Sequence, residues 1–187
     1  MSVVVAVAKD DRVAIASDSQ VNFGDLVVPP ANHQAVKIRR LGRSYLAVTG
    51  WALYENIFND FIDPKRPPSL AGERAIYQFF LRLWKALHNR YGFVNDQCEE
   101  QHSPFGDLAA AFLIANRTGI FSVASDMSVT RFERYYAIGA GNDFALGALH
   151  ALYDEPYPAE VLAERAVAAA IAFNPFCGGE VQVHQIR

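Results

Sequence analysis

Three side chains near the amino end have the types that a compact nucleophile centre requires: the hydroxyl of Ser2, the carboxylate of Asp18 and the ammonium of Lys37. Ser2 stands directly behind Met1, and two apolar stretches, residues 3–8 and 13–16, flank the charged tetrapeptide Lys9-Asp10-Asp11-Arg12. The second stretch ends in Ser17-Asp18. If the two stretches fold back as a hairpin, Ser2 and Asp18 return beside each other. Lys37, within Ala35-Val36-Lys37-Ile38-Arg39-Arg40-Leu41, is followed by no other lysine until Lys65, and a third adjacent strand could aim its ammonium at the same point.

A serine hydroxyl attacks poorly unless a base takes its proton. Trimming of Met1, normal before a residue as small as serine, leaves Ser2 with a free α-amine. The pKa of such an amine, about 7.7–8.0, lies close to working pH, so it can serve as that base. An adjacent Lys37 ammonium favours the alkoxide and disfavours the protonated amine, and Asp18 holds the ammonium in place, since an unpaired buried charge is costly. Gly50, at a strand-to-helix junction with no side chain in the way, is a suitable backbone donor to a developing oxyanion, and the bulky Trp51 behind it can shape the adjoining pocket. Taken singly, each residue has a plainer reading as chain start, turn carboxylate, strand lysine or loop glycine. Their order and spacing make the case.

The elements that must position these groups follow from periodicity. Residues 3–8 are apolar at every position, the pattern of a strand covered on both faces. Residues 21–28 form a weaker extended segment broken at Gly24 and ended by Pro29-Pro30; residues 35–40 and 45–48 form a strand pair joined around Gly42. Thr49-Gly50 marks the change to a helix over about 52–62, which Asp63-Pro64-Lys65-Arg66-Pro67-Pro68 ends. Ser69 is placed to cap a second helix carrying Ile76, Phe79, Phe80, Leu83, Trp84, Leu87 and Tyr91 at steps of three and four. That aromatic stripe reads as core. The polar stretch 92–106 holds Cys98 and His102, but no second Cys/His pair has ligand spacing, so it reads as a solvated loop with no metal.

Residues 109–115 and 120–124 form a hairpin around Asn116-Arg117-Thr118-Gly119, and residues 135–138 a further strand. Gly139-Ala140-Gly141 ends that strand, and Asn142 can cap a helix running to about Tyr153. The alanine-rich helix 159–173 implies close approach to another helix; Asn174-Pro175 stops it, Cys177-Gly178-Gly179 turns the chain, and 180–186 alternates as a last strand. Strands, two helices, strands, two helices and a strand are all buried if two helix pairs flank two stacked sheets. The expected fold is α+β, a four-layer αββα sandwich, as one domain over residues 1–187.

Composition sets the outer bounds. A 51% hydrophobic, 20% charged chain of net charge −3 offers no basic face for nucleic acid. The apolar start lacks a basic leading region and is soon cut by charges, so it is not a signal peptide, and no run approaches the roughly 18 apolar residues of a membrane span. Two cysteines are too few for a disulfide framework, and a cytoplasmic location with no membrane partner is expected.

The chain resembles the proteasome β-subunit family, including its bacterial relative, the heat-shock-locus peptidase. The resemblance rests on Ser2, Ser17-Asp18-Ser19-Gln20, Lys37-Ile38-Arg39-Arg40-Leu41, Val48-Thr49-Gly50-Trp51-Ala52, Ala137-Ile138-Gly139-Ala140-Gly141 and Cys177-Gly178-Gly179, and it runs nearly end to end. It implies the amino-terminal-nucleophile hydrolase form of the αββα fold and a subunit of stacked homo-oligomeric rings that hydrolyses peptide bonds of peptide or unfolded protein substrates. It also implies a possible ATP-dependent unfoldase partner and no cofactor. By position, Ser2 is the nucleophile, Asp18 and Lys37 the charge pair, and Gly50 the oxyanion donor.

The supporting positions differ from the family pattern. Ala140 stands where the family has a serine between two glycines, and Asn174 and Cys177 where it has an aspartate followed three residues later by a serine. The family uses those groups to position the terminal amine and a water, and loss of such partners costs about 10–100-fold each in comparable sites. Two alternatives accompany the peptidase reading: a proteasome-like chamber protein with impaired or lost catalysis, and an amidase of the same fold acting on small molecules.

Overall fold

The structure, a computed structural model, describes residues 2–29, 31–33, 35–93 and 106–186. Cys98 and His102, and with them the reading of 92–106 as a solvated loop, lie largely outside the described residues.

The first hairpin is the centre of the molecule. β1 (Val3–Lys9) and β2 (Arg12–Ser17) pair antiparallel from Val4 opposite Ser17 to Lys9 opposite Arg12. The two residues left for the turn, Asp10 and Asp11, have φ of 50° and 57°. Two successive left-handed residues match the right-handed twist of the strands, and Asp is among the residues that tolerate this conformation. Along β1, Val3, Val5 and Val7 face one apolar layer while Val4 and Ala6 face another, and none of the five is exposed to solvent. Full burial of each valine contributes about 1.5–3 kcal/mol relative to leaving it exposed.

A four-stranded sheet forms around this hairpin in the order β10-β1-β2-β11, with β10 spanning Tyr135–Gly139 and β11 spanning Gln182–Ile186. The facing sheet has five strands in sequence order: β5 (Ile38–Leu41), β6 (Ser44–Gly50), β7 (Ala110–Asn116), β8 (Gly119–Val123) and β9 (Val129–Phe132). The sheets meet through Val4, Ala6, Ile15, Ile38, Ala47, Leu113, Ala115 and Ile138. Helices α1 (Leu53–Phe61) and α2 (Glu73–Asn89) cover the outer face of the larger sheet through a cluster that includes Phe58, Phe79, Phe80, Phe112 and Phe121. Helices α3 (Asn142–Leu152) and α4 (Ala159–Phe173) cover the smaller one. The result is the four-layer αββα sandwich.

The alanines of α4 answer two neighbours at once. Ala159, Ala163, Ala166 and Ala170 are buried between α3 and strands β1 and β2. A separate two-stranded hairpin, β3 (Val21–Phe23) and β4 (Leu26–Val28), turns at Gly24 and projects with Phe23 and Leu26 exposed.

Four local expectations are corrected. Ser69 caps nothing: α2 starts at Glu73, because Gly72 has φ of 84° and ψ of 164°, outside the helical region, while Leu70 is buried and its carbonyl accepts a hydrogen bond from Asn116 Nδ2 at 2.7 Å. Asn142 is the first residue of α3 and Gly141 the cap position, because the chain turns where a Cβ would lie 2.8 Å from both Ala170 Cβ and Cys177 Sγ. The strand expected over 35–40 begins at Ile38, so Lys37 immediately precedes it. Finally, β5 does not join the first hairpin in one sheet; it is the edge of the facing one.

Candidate active site

Two sheets supply the site, and the space between their ends is where the charged groups meet. Asp18 follows β2 directly and is fully buried. Its Oδ1 accepts the Val3 N–H at 3.0 Å and Lys37 Nζ at 2.7 Å, and its Oδ2 accepts the Gly178 N–H at 3.0 Å. Three donors from three parts of the chain thus fix one carboxylate. The β1–β2 ladder makes this possible, since the register that puts Val4 opposite Ser17 leaves Ser2 and Asp18 at the hairpin's open end. Asp18 N–H also donates to the Val3 carbonyl at 3.4 Å, so side chain and backbone tie the same two residues.

Lys37 reaches this carboxylate from the opposite sheet and is only 9% exposed. Burial pulls its pKa below the usual lysine value, and the charge and hydrogen bond of Asp18 push back. The pair therefore joins the layers at the mouth of the core.

Ser2 is 8% exposed and is held by its backbone. Its carbonyl accepts the Gly141 N–H at 3.4 Å, and Gly139 passes so close that a Cβ there would lie 2.2 Å from the Ser2 carbonyl oxygen. Gly139 has φ of 97° and Gly50 of 136°, conformations that residues with a Cβ rarely adopt. At Gly50 a Cβ would meet the Ala109 carbonyl oxygen at 2.8 Å, so the end of β6 is free of side chain by necessity.

Ser2, Lys37 and Gly50 line one cleft of about 370 Å³. Its other walls come from the β3–β4 hairpin through Val21, Asn22 and Phe23, and from Val36, Val48 and the 69% exposed Trp51. The structure thus brings together Ser2, Asp18, Lys37 and Gly50.

The three supporting positions also converge. Asn174, at the end of α4, donates from Nδ2 to the Ala140 carbonyl at 2.6 Å and accepts the Phe176 N–H on Oδ1 at 2.9 Å. Cys177 is buried beside Gly141, and its thiol pKa is pushed up to about 11, chiefly by burial and then by the Asp18 charge. At neutral pH it is a protonated thiol, which argues against Cys177 as an independent nucleophile.

Sequence reasoning did not find two further contributors. Gly178 supplies its N–H to Asp18 Oδ2, and its carbonyl receives the N–H groups of Ser19 and Gln20 at 3.2 and 3.0 Å. Gln20 in turn donates to Asn22 Oδ1 and to the Pro175 carbonyl, tying the projecting hairpin to the segment after α4. The paired glycines at 178–179 were the available signal: a Cβ on Gly178 would lie 2.1 Å from Gln20 Oε1.

Among the described residues no helix is long and apolar enough to cross a membrane, and no group of three potential metal ligands occurs. No family model matches the chain. Individual relatives do. It is 24% identical to the proteasome subunit beta of Nanoarchaeum equitans over all of this chain and 93% of that one. It is 26% identical to the ATP-dependent protease subunit HslV of Bartonella quintana over 88% of this chain and 78% of that one. Among solved structures, BPH of Thiobacillus denitrificans in complex with epoxomicin is 34% identical, with a TM-score of 0.88 over 99% of this chain and 98% of that one. Eukaryotic HslV from Trypanosoma brucei, 22% identical over 98% of both chains, shares the fold with a TM-score of 0.67. With end-to-end coverage, matching architecture and an identity above 30% to a solved relative, the chain belongs to the proteasome β-subunit family and has its amino-terminal-nucleophile hydrolase fold.

Proposed function

We propose that the protein is a subunit of a ring-forming peptidase that cleaves peptide bonds through Ser2 once Met1 has been removed. The observation that carries the reading is the convergence on Asp18: the Val3 N–H next to Ser2 and the Lys37 ammonium share one carboxylate oxygen, while Ser2, Lys37 and Gly50 line one cleft. In the reaction, Ser2 Oγ attacks the carbonyl carbon of the scissile bond and its proton passes to the freed Ser2 amine. The negative charge developing on the substrate oxygen lies toward the Gly50 backbone N–H. Transfer of the amine-held proton to the leaving nitrogen releases the first product and leaves an ester on Ser2. Water then adds to that ester, returning the hydroxyl and the second product. Lys37 favours the anionic form of the hydroxyl throughout, and Asp18 holds it.

Self-assembly is supported by the apolar side chains left at the surface outside the cleft, among them Leu26, Leu53, Phe144 and Phe173. The name of the Bartonella relative extends the reading to an ATP-driven partner.

The test follows from the Thiobacillus complex. Purified protein of verified amino terminus is incubated with epoxomicin and a peptide substrate, and the modified residue is mapped. Modification at Ser2 and loss of turnover in Ser2→Ala are expected; undiminished turnover in Ser2→Ala removes the assignment. A second reading, a chamber protein with impaired catalysis, is favoured by Ala140, Asn174 and Cys177 standing in place of hydroxyl and carboxylate groups. Intact rings with no modification and no turnover are its signature, whereas a sedimenting species near 20.7 kDa contradicts assembly of either kind.

A further inference from the structure

The turn Gly139-Ala140-Gly141 is the backbone support of Ser2. Gly139 pairs with Val3, and the Gly141 N–H donates to the Ser2 carbonyl. The middle residue of that turn is held from outside. Asn174 Nδ2 donates to the Ala140 carbonyl at 2.6 Å, and the identity of the amide ends is fixed independently, because the Phe176 N–H donates to Asn174 Oδ1 at 2.9 Å and so requires an acceptor there. Both ends of the amide are in use, one as donor and one as acceptor.

We propose that Asn174 is a positioning residue whose amide nitrogen latches the turn carrying Ser2, a task for which a carboxylate at the same position is unsuited. The proposal rests on Ser2 being the reacting residue. A carboxylate could still accept the Phe176 N–H, but its second oxygen would face the lone pairs of the Ala140 carbonyl. Ala140 offers no hydroxyl in exchange, and with no side-chain donor on the turn the carboxylate loses its other use. Amide and alanine therefore belong together: the joint runs through main chain where a carboxylate-and-hydroxyl pair would run through side chains. Judged by resemblance alone, Asn174→Asp would repair the site. Judged by this geometry it damages it, in a pH-dependent way.

The carboxyl group introduced by Asn174→Asp keeps the Phe176 N–H on one oxygen, while its other oxygen faces the Ala140 carbonyl, to which the neutral acid can donate and the anion cannot, so the Ala140 bond exists only in the protonated form. Stability tied to that bond is present below the unfolded-state pKa and is lost as pH rises through the folded one. The elements around this joint carry Asp143 and His150 on α3, Glu160, Glu164 and Arg165 on α4, Tyr135 and Tyr136 on β10, Cys177 after α4, and the Asp18–Lys37 pair beyond it. They are common to variant and parent, as is the Ser2 amine, so the ratio between the two proteins isolates position 174.

The experiment measures, between pH 4 and 8.5, the rate of epoxomicin labelling at Ser2 and the thermal midpoint of the parent, Asn174→Asp and Asn174→Ala. For Asn174→Asp, a labelling rate about ten-fold below the parent at pH 8 and within about two-fold at pH 4 is expected, with a deficit in thermal midpoint that grows over the same interval. Asn174→Ala lacks the bond at every pH and shows a deficit that does not change with pH. Asn174→Asp labelling as fast as the parent at pH 8, or a thermal deficit flat with pH, overturns the latch. If the parent is not labelled at Ser2, the peptidase reading fails instead, and the thermal profiles still decide whether the amide holds the turn.

Discussion

Lys37 Nζ and Asp18 Oδ1 lie 2.7 Å apart with their side chains 7% and 0% exposed, and they adjoin strands of opposite sheets, Lys37 just before β5 and Asp18 just after β2. The bond is therefore both the charge pair of the site and a strut between layers. Removing one partner leaves a buried charge uncompensated, at a cost of about 3–5 kcal/mol. Lys37→Met and Asp18→Asn should each lower the free energy of unfolding by that order. Combined, they should cost less than the sum of the two, because the second change removes the charge that the first leaves stranded. Chemical denaturation of the four proteins of the cycle checks this; strict additivity contradicts the strut.

Two glycines near Ser2 predict opposite tolerances. A Cβ at Gly139 meets the Ser2 carbonyl oxygen at 2.2 Å, where φ is also 97°, so both backbone conformation and backbone contact oppose it. A Cβ at Gly178 meets only the end of the Gln20 side chain, which can rotate away. Gly139→Ala should cost several kcal/mol or fail to fold, since unfavourable φ alone is worth about 1–3 kcal/mol. Gly178→Ala should remain folded while freeing Gln20 from Asn22 and Pro175, loosening the β3–β4 wall of the cleft and raising KM more than it lowers kcat. Denaturation curves and peptide kinetics distinguish the two.

The parts of this architecture legible in the sequence are those fixed by local pattern. The unbroken apolar run from Val3 to Ala8, the charged tetrapeptide Lys9-Asp10-Asp11-Arg12 as a turn, and the step from Ser2 to Asp18 leave few ways to fold the first hairpin, and the structure narrows the turn to Asp10 and Asp11. Choices decided by distant partners were not legible. Ser69 has the chemistry of a cap, yet the non-helical backbone at Gly72 delays α2 to Glu73 while Leu70 is anchored in the core and to Asn116. Lys37 was expected on a neighbouring strand, and only the stacking of two sheets brings it to Asp18 from across the core. Strand β9 escaped notice because Thr130 and Arg131, at the sheet edge, face solvent and give no apolar alternation. At the site, residue types revealed the charge pair, but the role of Asn174 depends on a carbonyl 34 positions away, which has no signature in side-chain identity.

Cys177 carries the last prediction, because its thiol stands beside the charge pair without being ionised. Burial and the neighbouring Asp18 carboxylate push its pKa up to about 11 from an ordinary 9.0, whereas Lys37 acts the other way with less effect. In the folded protein the thiol should resist alkylation by iodoacetamide at pH 8 and react only after denaturation or well into alkaline pH, since the thiolate is the reactive form. The linkage has a definite sign: a folded pKa above the unfolded one gives stability that is complete below about pH 9 and is lost as pH rises through about 11. The stability difference between the parent and Cys177→Ser should therefore be constant from pH 6 to 8 and shrink above pH 9. Labelling at Ser2 should survive the same substitution, because the serine hydroxyl is smaller than the thiol and remains neutral near Lys37. Rapid native alkylation at pH 8, or loss of Ser2 labelling in Cys177→Ser, would instead make the thiol a participant in the chemistry.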